Sequence, residues 1–275
     1  MDTTTRKSIL NKTKVEYGDY VVNHVEGCAH GCLFPCYAFN MAKRFGHVKN
    51  YREWVHPKLV SNALELLNDE LPKVKGEIKS VQLCFTTDPF MDKYPEVGEL
   101  SLRIINRINQ DNIKCVILTK GILPDYLSST SKINEYGITL VSLNEQFKRK
   151  YEPFASPYED RIKALKKLHK KGFITWVSIE PFPTPNIDNT SLGDLLSKVA
   201  FVDKIVFGRL HYNKLVGQYP NYQDYYNQCA KTVSSFCKKH NIFCHIKTGT
   251  FVENGTDKGG DVVIPKGEKH AAKKD

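Results

Sequence analysis

The 275-residue chain contains no apolar run near the roughly 20 residues that a membrane-spanning helix needs. Its first ten residues, MDTTTRKSIL, lack the apolar stretch and small-residue cleavage site of a signal peptide, so a cytosolic setting is expected. Arginine is scarce: eight of the 40 basic residues are Arg and 32 are Lys. The formal charge of +10 therefore comes mostly from side chains that lack the bidentate fork used on bases and phosphates. Such a balance fits an electrostatic pull toward nucleic acid, and it equally fits a solvated lysine surface. No internal repeat and no linker-like break in composition divide the sequence. One domain over 18–250 is expected, with an N-terminal extension at 1–17 outside it and a C-terminal tail at 251–275, partly disordered.

A 41% apolar composition is sufficient for a substantial core. Seven β-branched, apolar runs read as strands: 19–25, 80–85, 114–120, 137–143, 174–181, 204–209 and 243–247. Helical patterns separate them at 56–71, 98–110, 156–172 and 221–241. In the third of these helices Ser156 is the expected cap, Pro157 the first helical position and Glu159 the partner in a capping box. Ile162, Leu165 and Leu168 form its buried face, and Gly172 ends it. Strands alternating with helices imply a parallel sheet and an α/β barrel, complete or partial.

In such a fold the functional residues collect where strands end. The second strand ends at Thr86, Thr87 and Asp88, the third at Lys120, and the fourth at Ser142 and Asn144. Glu180 closes the fifth strand, where Pro181 and Pro183 fit a rigid turn as readily as a pocket. Arg209 and Lys247 close the last two. His211 and His245 show no ligand spacing. The tyrosines of YPNYQDYYNQ (219–228) suit the packing face of an amphipathic helix better than a base-stacking surface.

The densest signal is EGCAHGCLFPCYAFN (26–40), with Cys28, Cys32 and Cys36 four positions apart. In a reducing compartment clustered thiols serve metals or chemistry more often than disulfides. Cys84, Cys115, Cys229, Cys237 and Cys244 are scattered through apolar contexts and read as buried thiols. A structural zinc needs four ligands, which His24 or His30 can complete. An iron–sulfur cluster with one iron left open needs only the three thiolates. Zinc ribbons bring two knuckles, and no second Cys-x-x-Cys appears here, which favours the cluster. Gly27 and Gly31 let the backbone wrap closely around a bulky core.

The stretch NHVEGCAHGCLFPCYA resembles the N-x-x-x-G-C-x-H-x-C-x-Y-C-Y-A loop of the radical S-adenosylmethionine (SAM) enzymes, in their spore photoproduct lyase-like branch. The likeness continues through TTDPF (86–90), LTK (118–120), VSLNEQ (141–146) and YEPFASPYEDRIKALKKLHKKGF (151–173). It implies a partial (β/α)6 TIM-type barrel of parallel strands, and a [4Fe–4S] cluster on Cys28, Cys32 and Cys36 whose fourth iron binds SAM. Reductive cleavage of SAM would yield a 5′-deoxyadenosyl radical that abstracts hydrogen from an organic substrate, with a nucleic acid or nucleotide favoured.

By the same resemblance Thr86, Thr87 and Asp88 meet the methionine amino end of SAM and Lys120 its carboxylate. Ser142 and Asn144 meet the ribose, and Phe34 or Tyr37 packs on the adenine; Glu180 joins the cofactor-binding set. The resemblance also implies an electron donor such as flavodoxin or ferredoxin. This chain differs from the family in having three residues, not two, between its second and third cysteines. The branch places a hydrogen-donating cysteine just before its Thr-Ser-Asp; here Phe85 takes that place and Cys84, one residue away, is the sole catalytic candidate, so thymine-dimer repair is not expected. Two other functions fit the residues: a zinc-stabilised basic barrel that binds nucleic acid without catalysis, and the same radical chemistry on a peptide or small metabolite.

Overall fold

A computed structural model describes residues 1–13 and 18–262, and the chain divides into two compact units, Met1–Trp176 and Val177–Asp275. In the first, a parallel core of β3 (Tyr20–Val22), β6 (Ser80–Leu83), β7 (Lys114–Thr119) and β8 (Glu135–Thr139) lies in that order. The inner strands read as continuous apolar runs because both faces are covered: Cys115, Val116 and Ile117 of β7 are all buried. The N-terminal segment is not an appendage. β2 (Leu10–Lys12) pairs antiparallel with β3 at the sheet edge, and β1 (Asp2–Thr4) runs parallel to β5 (Lys58–Val60). β4 (Val25–Glu26) pairs antiparallel with β5 on its other side.

That small sheet overturns part of one helix expectation. The pattern over 56–71 yields β5 first and only then α3 (Ala63–Val74). Val60 is a β-favouring residue, and the segment's partners lie on β1 and β4, a tertiary choice that local periodicity does not encode. α4 (Pro95–Gln110) follows its pattern closely. Pro95 opens it, and Val97, Leu100, Ile104, Ile105 and Ile108 are buried, each side chain contributing about 1.5–3 kcal/mol on removal from water. Gly137 of β8 is required by close packing, because a Cβ there would lie 2.4 Å from the buried Trp176 ring.

α6 (Tyr158–Lys170) buries Ile162, Leu165 and Leu168 as expected, but its cap differs. Pro157 is the N-cap without a side-chain bond, and the Ser156 hydroxyl instead donates to Asp92. β8 ends at Thr139, four residues before the expected limit, so Ser142 and Asn144 lie on the loop that follows. Three short α-helices, α1 (Tyr37–Arg44), α2 (Tyr51–Trp54) and α5 (Glu145–Tyr151), and a 3-10 helix at Asp125–Ser129 also lie among the described residues of the first unit.

β9 (Ile174–Phe182) runs from the end of the first unit into the second. The second unit continues with α7 (Leu192–Lys198), β10 (Lys204–Arg209), α8 (Lys214–Gly217), α9 (Tyr222–His240) and β11 (Phe243–Ile246). β10 and β11 are parallel. Residues 251–262, expected as tail, form the hairpin β12 (Val252–Glu253) and β13 (Thr256–Asp257) and then β14 (Gly260–Val262), antiparallel to β11. The charged segment 265–275 lies outside the described residues. No helix among the described residues is long and apolar enough to cross a membrane.

Candidate metal centre

The cysteine loop begins directly after β4 and is fixed through its backbone. The Cys28 amide donates to Trp54 O at 2.9 Å and the Ala29 amide to Met91 Sδ at 3.1 Å. Tyr51 Oη donates to Gly31 O at 2.6 Å, and the Leu33 amide donates to Tyr151 O at 2.8 Å. Cys36 is the N-cap residue of α1. Both loop glycines are conformationally necessary. Gly27 has φ +82°, and a Cβ there would stand 2.6 Å from Trp54 O; Gly31 has φ +60°, and its Cβ would meet the Phe154 ring at 2.7 Å.

The middle residue between Cys32 and Cys36 has a structural use. Phe34 turns inward and stacks on Phe147 and Tyr151 of α5, with centroids 6.1 and 6.0 Å away, while Leu33 stays 54% exposed. Phe34 thus pins the middle of the loop to α5. Phe34 is buried in this aromatic group, which removes it as a free adenine platform. Tyr37 remains exposed, its hydroxyl donating to Phe85 O at 2.7 Å.

Cys28, Cys32 and Cys36 are half-buried, whereas the other five thiols are buried, and all eight are free. Burial drives the Cys28 pKa up, and Asp88 and the other two loop cysteines add to it. Burial also pushes Cys32 up, to about 12, against the pull of Lys120. Metal-free, Cys28 and Cys32 are thiols, and a metal centre would displace their protons.

The donor set bears on which metal fits. Tetrahedral zinc with 2.3 Å bonds to sulfur brings its thiolates to about 3.8 Å from one another. Among the described residues no three His, Cys, Asp or Glu side chains are grouped as one metal ion requires. Thiolates that each hold a different iron of a multi-iron core need no such convergence, and half-buried thiols on a glycine-wrapped loop fit that core. Of the two candidate histidines, His24 is buried with Nε2 2.7 Å from Ser101 Oγ and Nδ1 3.5 Å from Cys84 Sγ, and His30 Nε2 is 3.0 Å from Asp88 Oδ2.

Asp88 is a clamp rather than an open contact. Its Oδ1 accepts from the Phe90 amide at 2.9 Å and Thr119 Oγ1 at 2.6 Å, and its Oδ2 from the Lys120 amide at 2.8 Å, with His30 beside it. Burial opposes its ionisation, yet His30, Thr119 and the Lys120 amide hold the carboxyl below its usual value. It ties the cysteine loop to the ends of β6 and β7, and its oxygens are spent there. Thr86 and Thr87 stay half-buried; Thr86 bonds Asn23 Oδ1 and Thr87 bonds Val25 O, each at 3.4 Å.

Lys120 stands next to the thiols, Nζ being 3.6 Å from Cys32 Sγ and 4.7 Å from the Phe34 ring centroid. It pairs at 2.5 Å with Glu152 Oε1, whose Oε2 pairs at 3.1 Å with Arg161 Nη2. Arg161 also donates to Ser156 O and Thr139 O. Burial works against the Lys120 charge, but Cys32 and Glu152 raise its pKa above the usual lysine value. Sequence reasoning missed Glu152 and Arg161. A signal existed: Tyr158, Arg161, Leu165 and Leu168 share one helical stripe, and an arginine on a buried stripe needs a buried counter-charge.

The remaining candidates are placed as follows. Ser142 is buried, with Oγ accepting from the Asn144 amide at 2.8 Å, and Asn144 caps α5 through the Gln146 amide. Both therefore shape the loop between β8 and α5. The Cys84 thiol is buried with Val25, Ala29, Met91 and Val97, 3.5 Å from His24 Nδ1, so it faces the interior. Glu180 lies within β9, in the second unit, since the strand passes through Pro181 to Phe182.

A profile of the radical SAM superfamily matches residues 22–197, which include the cysteine loop, the Asp88 clamp and the Lys120 network. An uncharacterized protein of Methanocaldococcus jannaschii is 30% identical over 186 residues, covering 66% of this chain and 67% of that protein. An uncharacterized protein of the Acidianus two-tailed virus is 26% identical over 179 residues, 61% of this chain and 57% of its own. Among solved structures, a single-site mutant of spore photoproduct lyase superposes with a TM-score of 0.62 at 13% identity, over 88% of this chain and 80% of that one. A double mutant of the same lyase, with bound AdoMet and dinucleoside spore photoproduct, gives 0.58 at 13% identity over the same shares.

Proposed function

The chain belongs to the radical SAM superfamily, and from that premise we propose that it holds a [4Fe–4S] cluster on Cys28, Cys32 and Cys36 and uses SAM to abstract hydrogen from an organic substrate. Its fold class is the α/β, parallel-strand kind of that superfamily's TIM-type barrels, and SAM and an iron–sulfur cluster are the family's cofactors. When bound, the cluster supplies the electron that splits SAM into methionine and a 5′-deoxyadenosyl radical. The observation that carries the reading is the contrast among the thiols: three half-buried on one glycine-wrapped loop, five buried elsewhere.

The chain's own residues prepare the site. The Asp88 clamp fixes the loop, and the Phe34 stack holds its long second gap. Lys120 presents an ammonium beside Cys32, oriented by Glu152, where it offers a charge-assisted contact to the SAM carboxylate. Thr86 and Thr87 keep half-buried hydroxyls for the amino end, and Tyr37 is the exposed ring for adenine. Ser142 and Asn144 act by shaping the loop that borders the ribose.

A nucleic acid or nucleotide is the favoured substrate, on the formal charge of +10 and on the dinucleoside bound by the structurally similar lyase. Thymine-dimer repair is not part of the reading, because Cys84 is buried against His24. A flavodoxin- or ferredoxin-type protein would deliver the electron, and eight free thiols suit a reducing cytoplasm.

The test is metal analysis of protein purified without oxygen, followed by reduction with SAM present. About four irons with matching sulfide, and 5′-deoxyadenosine after reduction, are expected. One zinc and no sulfide would overturn the proposal in favour of a structural site.

A further inference from the structure

Within the second unit, the carboxyl ends of β10 and β11 carry a further group of polar side chains. Ligands of parallel α/β sheets collect at such ends. Arg209 ends β10, His211 and Tyr212 follow it, and Lys247 follows β11. Gly208 makes the crowding possible, since a Cβ there would lie 2.9 Å from Glu180 and 3.0 Å from the Lys247 stem. Lys247 Nζ and Glu180 Oε2 are 4.0 Å apart. His211 is near enough to Arg209 and Lys247 that, after burial, their charges lower its pKa.

Arg209 is the unusual member. Its Nη1 donates to Gln223 at 3.1 Å and its guanidinium lies 5.9 Å from the Tyr222 ring centroid. Its Nε is buried without an acceptor, and among the described residues no carboxylate reaches the guanidinium. A half-buried guanidinium with neither counter-charge nor full hydrogen bonding is costly unless a ligand completes it. Three residues on, Tyr212 is 88% exposed on a backbone with φ +58°, its ring centroid 5.8 Å from that of His211. An aromatic side chain in the left-handed region carries strain, and here it gains no burial in return.

An uncompensated cation and an exposed tyrosine, linked through His211, fit a phosphate joined to a base. We propose that Arg209, His211 and Lys247 form a phosphate-binding subsite and that Tyr212 stacks on the attached base, so that the second unit binds single-stranded nucleic acid. Calling this ligand the substrate rests on the function proposed above, whereas the binding does not depend on the cluster.

The test is fluorescence anisotropy of the full chain with a labelled 12-nucleotide single strand, DNA and RNA in parallel, over a range of salt. Arg209→Gln should weaken binding about tenfold or more. It should also reduce the log–log salt slope by about 0.7, the value for one lost phosphate contact on a single strand. Tyr212→Ala should weaken binding about tenfold with the slope unchanged. Lys238→Gln is the matched control. It removes one charge in the last turn of α9, on the side where the chain enters β11, and should leave both quantities unchanged.

Circular dichroism establishes that each variant is folded. An Arg209→Gln protein that binds like Lys238→Gln would overturn the subsite, and so would a wild-type chain that does not bind at low salt. Full displacement by millimolar inorganic phosphate, with Tyr212→Ala indistinguishable from wild type, would overturn the nucleotide assignment and leave a bare-anion site. SAM cleavage is measured without oligonucleotide, so either proposal can fail while the other stands.

Discussion

Glu152 keeps its charge with no exposed surface, one oxygen on Lys120 and the other on Arg161. Burial alone would raise its pKa, but the two cations outweigh burial and hold it at about 2, against an ordinary 4.5. A depressed folded-state pKa stabilises the fold above the unfolded value and loses that contribution as pH falls through the folded one. The gap of roughly 2.5 units corresponds to about 3 kcal/mol, lost between pH of about 4.5 and 2. Glu152→Gln should remove this component and cost about 3–5 kcal/mol at neutral pH, because Arg161 loses its counter-charge. Lys120→Met leaves the Glu152–Arg161 pair intact and should cost less. Urea titrations at pH 3 and pH 7 check both, and an unchanged pH dependence in Glu152→Gln would refute the assignment. Among the thiols, Cys32→Ala should abolish iron binding and 5′-deoxyadenosine formation. Cys84→Ala, a change in an apolar cluster, should retain the iron. Iron analysis of the two variants separates ligand from core.

At the scale of elements, the cysteine loop depends on backbone shape as much as on sulfur. Gly46 and Gly27 both have positive φ, but a Cβ at Gly46 meets nothing within 4 Å, whereas one at Gly27 collides with the Trp54 carbonyl. Gly46→Ala should therefore cost about 1–2 kcal/mol of backbone strain alone. Gly27→Ala should lower the melting temperature further and reduce iron loading, which thermal unfolding and iron analysis of the pair would reveal. Elements with a strong internal pattern were legible beforehand. α4 has its opening proline and apolar stripe, and β7 its continuous apolar run. β5 was not, since three residues have no readable period and were settled by their partners β1 and β4. Ser156 was misassigned as a cap because a helix N-terminus competes for such a hydroxyl with any nearby carboxylate, and Asp92 is 64 residues away in sequence.

For the whole molecule, the burial of its cysteines gives a measurable count. In native, metal-free protein a thiol reagent should modify Cys28, Cys32 and Cys36 first, with Cys84, Cys115, Cys229, Cys237 and Cys244 reacting only on unfolding. Fast modification of more than three thiols would show that the burial contrast behind the ligand assignment is wrong. The sequence by itself determined the alternation of strands and helices, the cysteine loop and the order of the motifs that follow it, because periodicity and spacing are local properties that survive without a fold. Only the tertiary structure decided what the polar residues at the strand ends do. Asp88 became a clamp, Asn144 a helix cap and Lys120 the partner of a buried glutamate, while Arg209 was left without a counter-charge. A polar residue's role is set by the groups within about 3 Å of it, and for Asp88 and Lys120 these include Thr119 and Glu152, 31 and 32 residues away, whose approach no single stretch of sequence records.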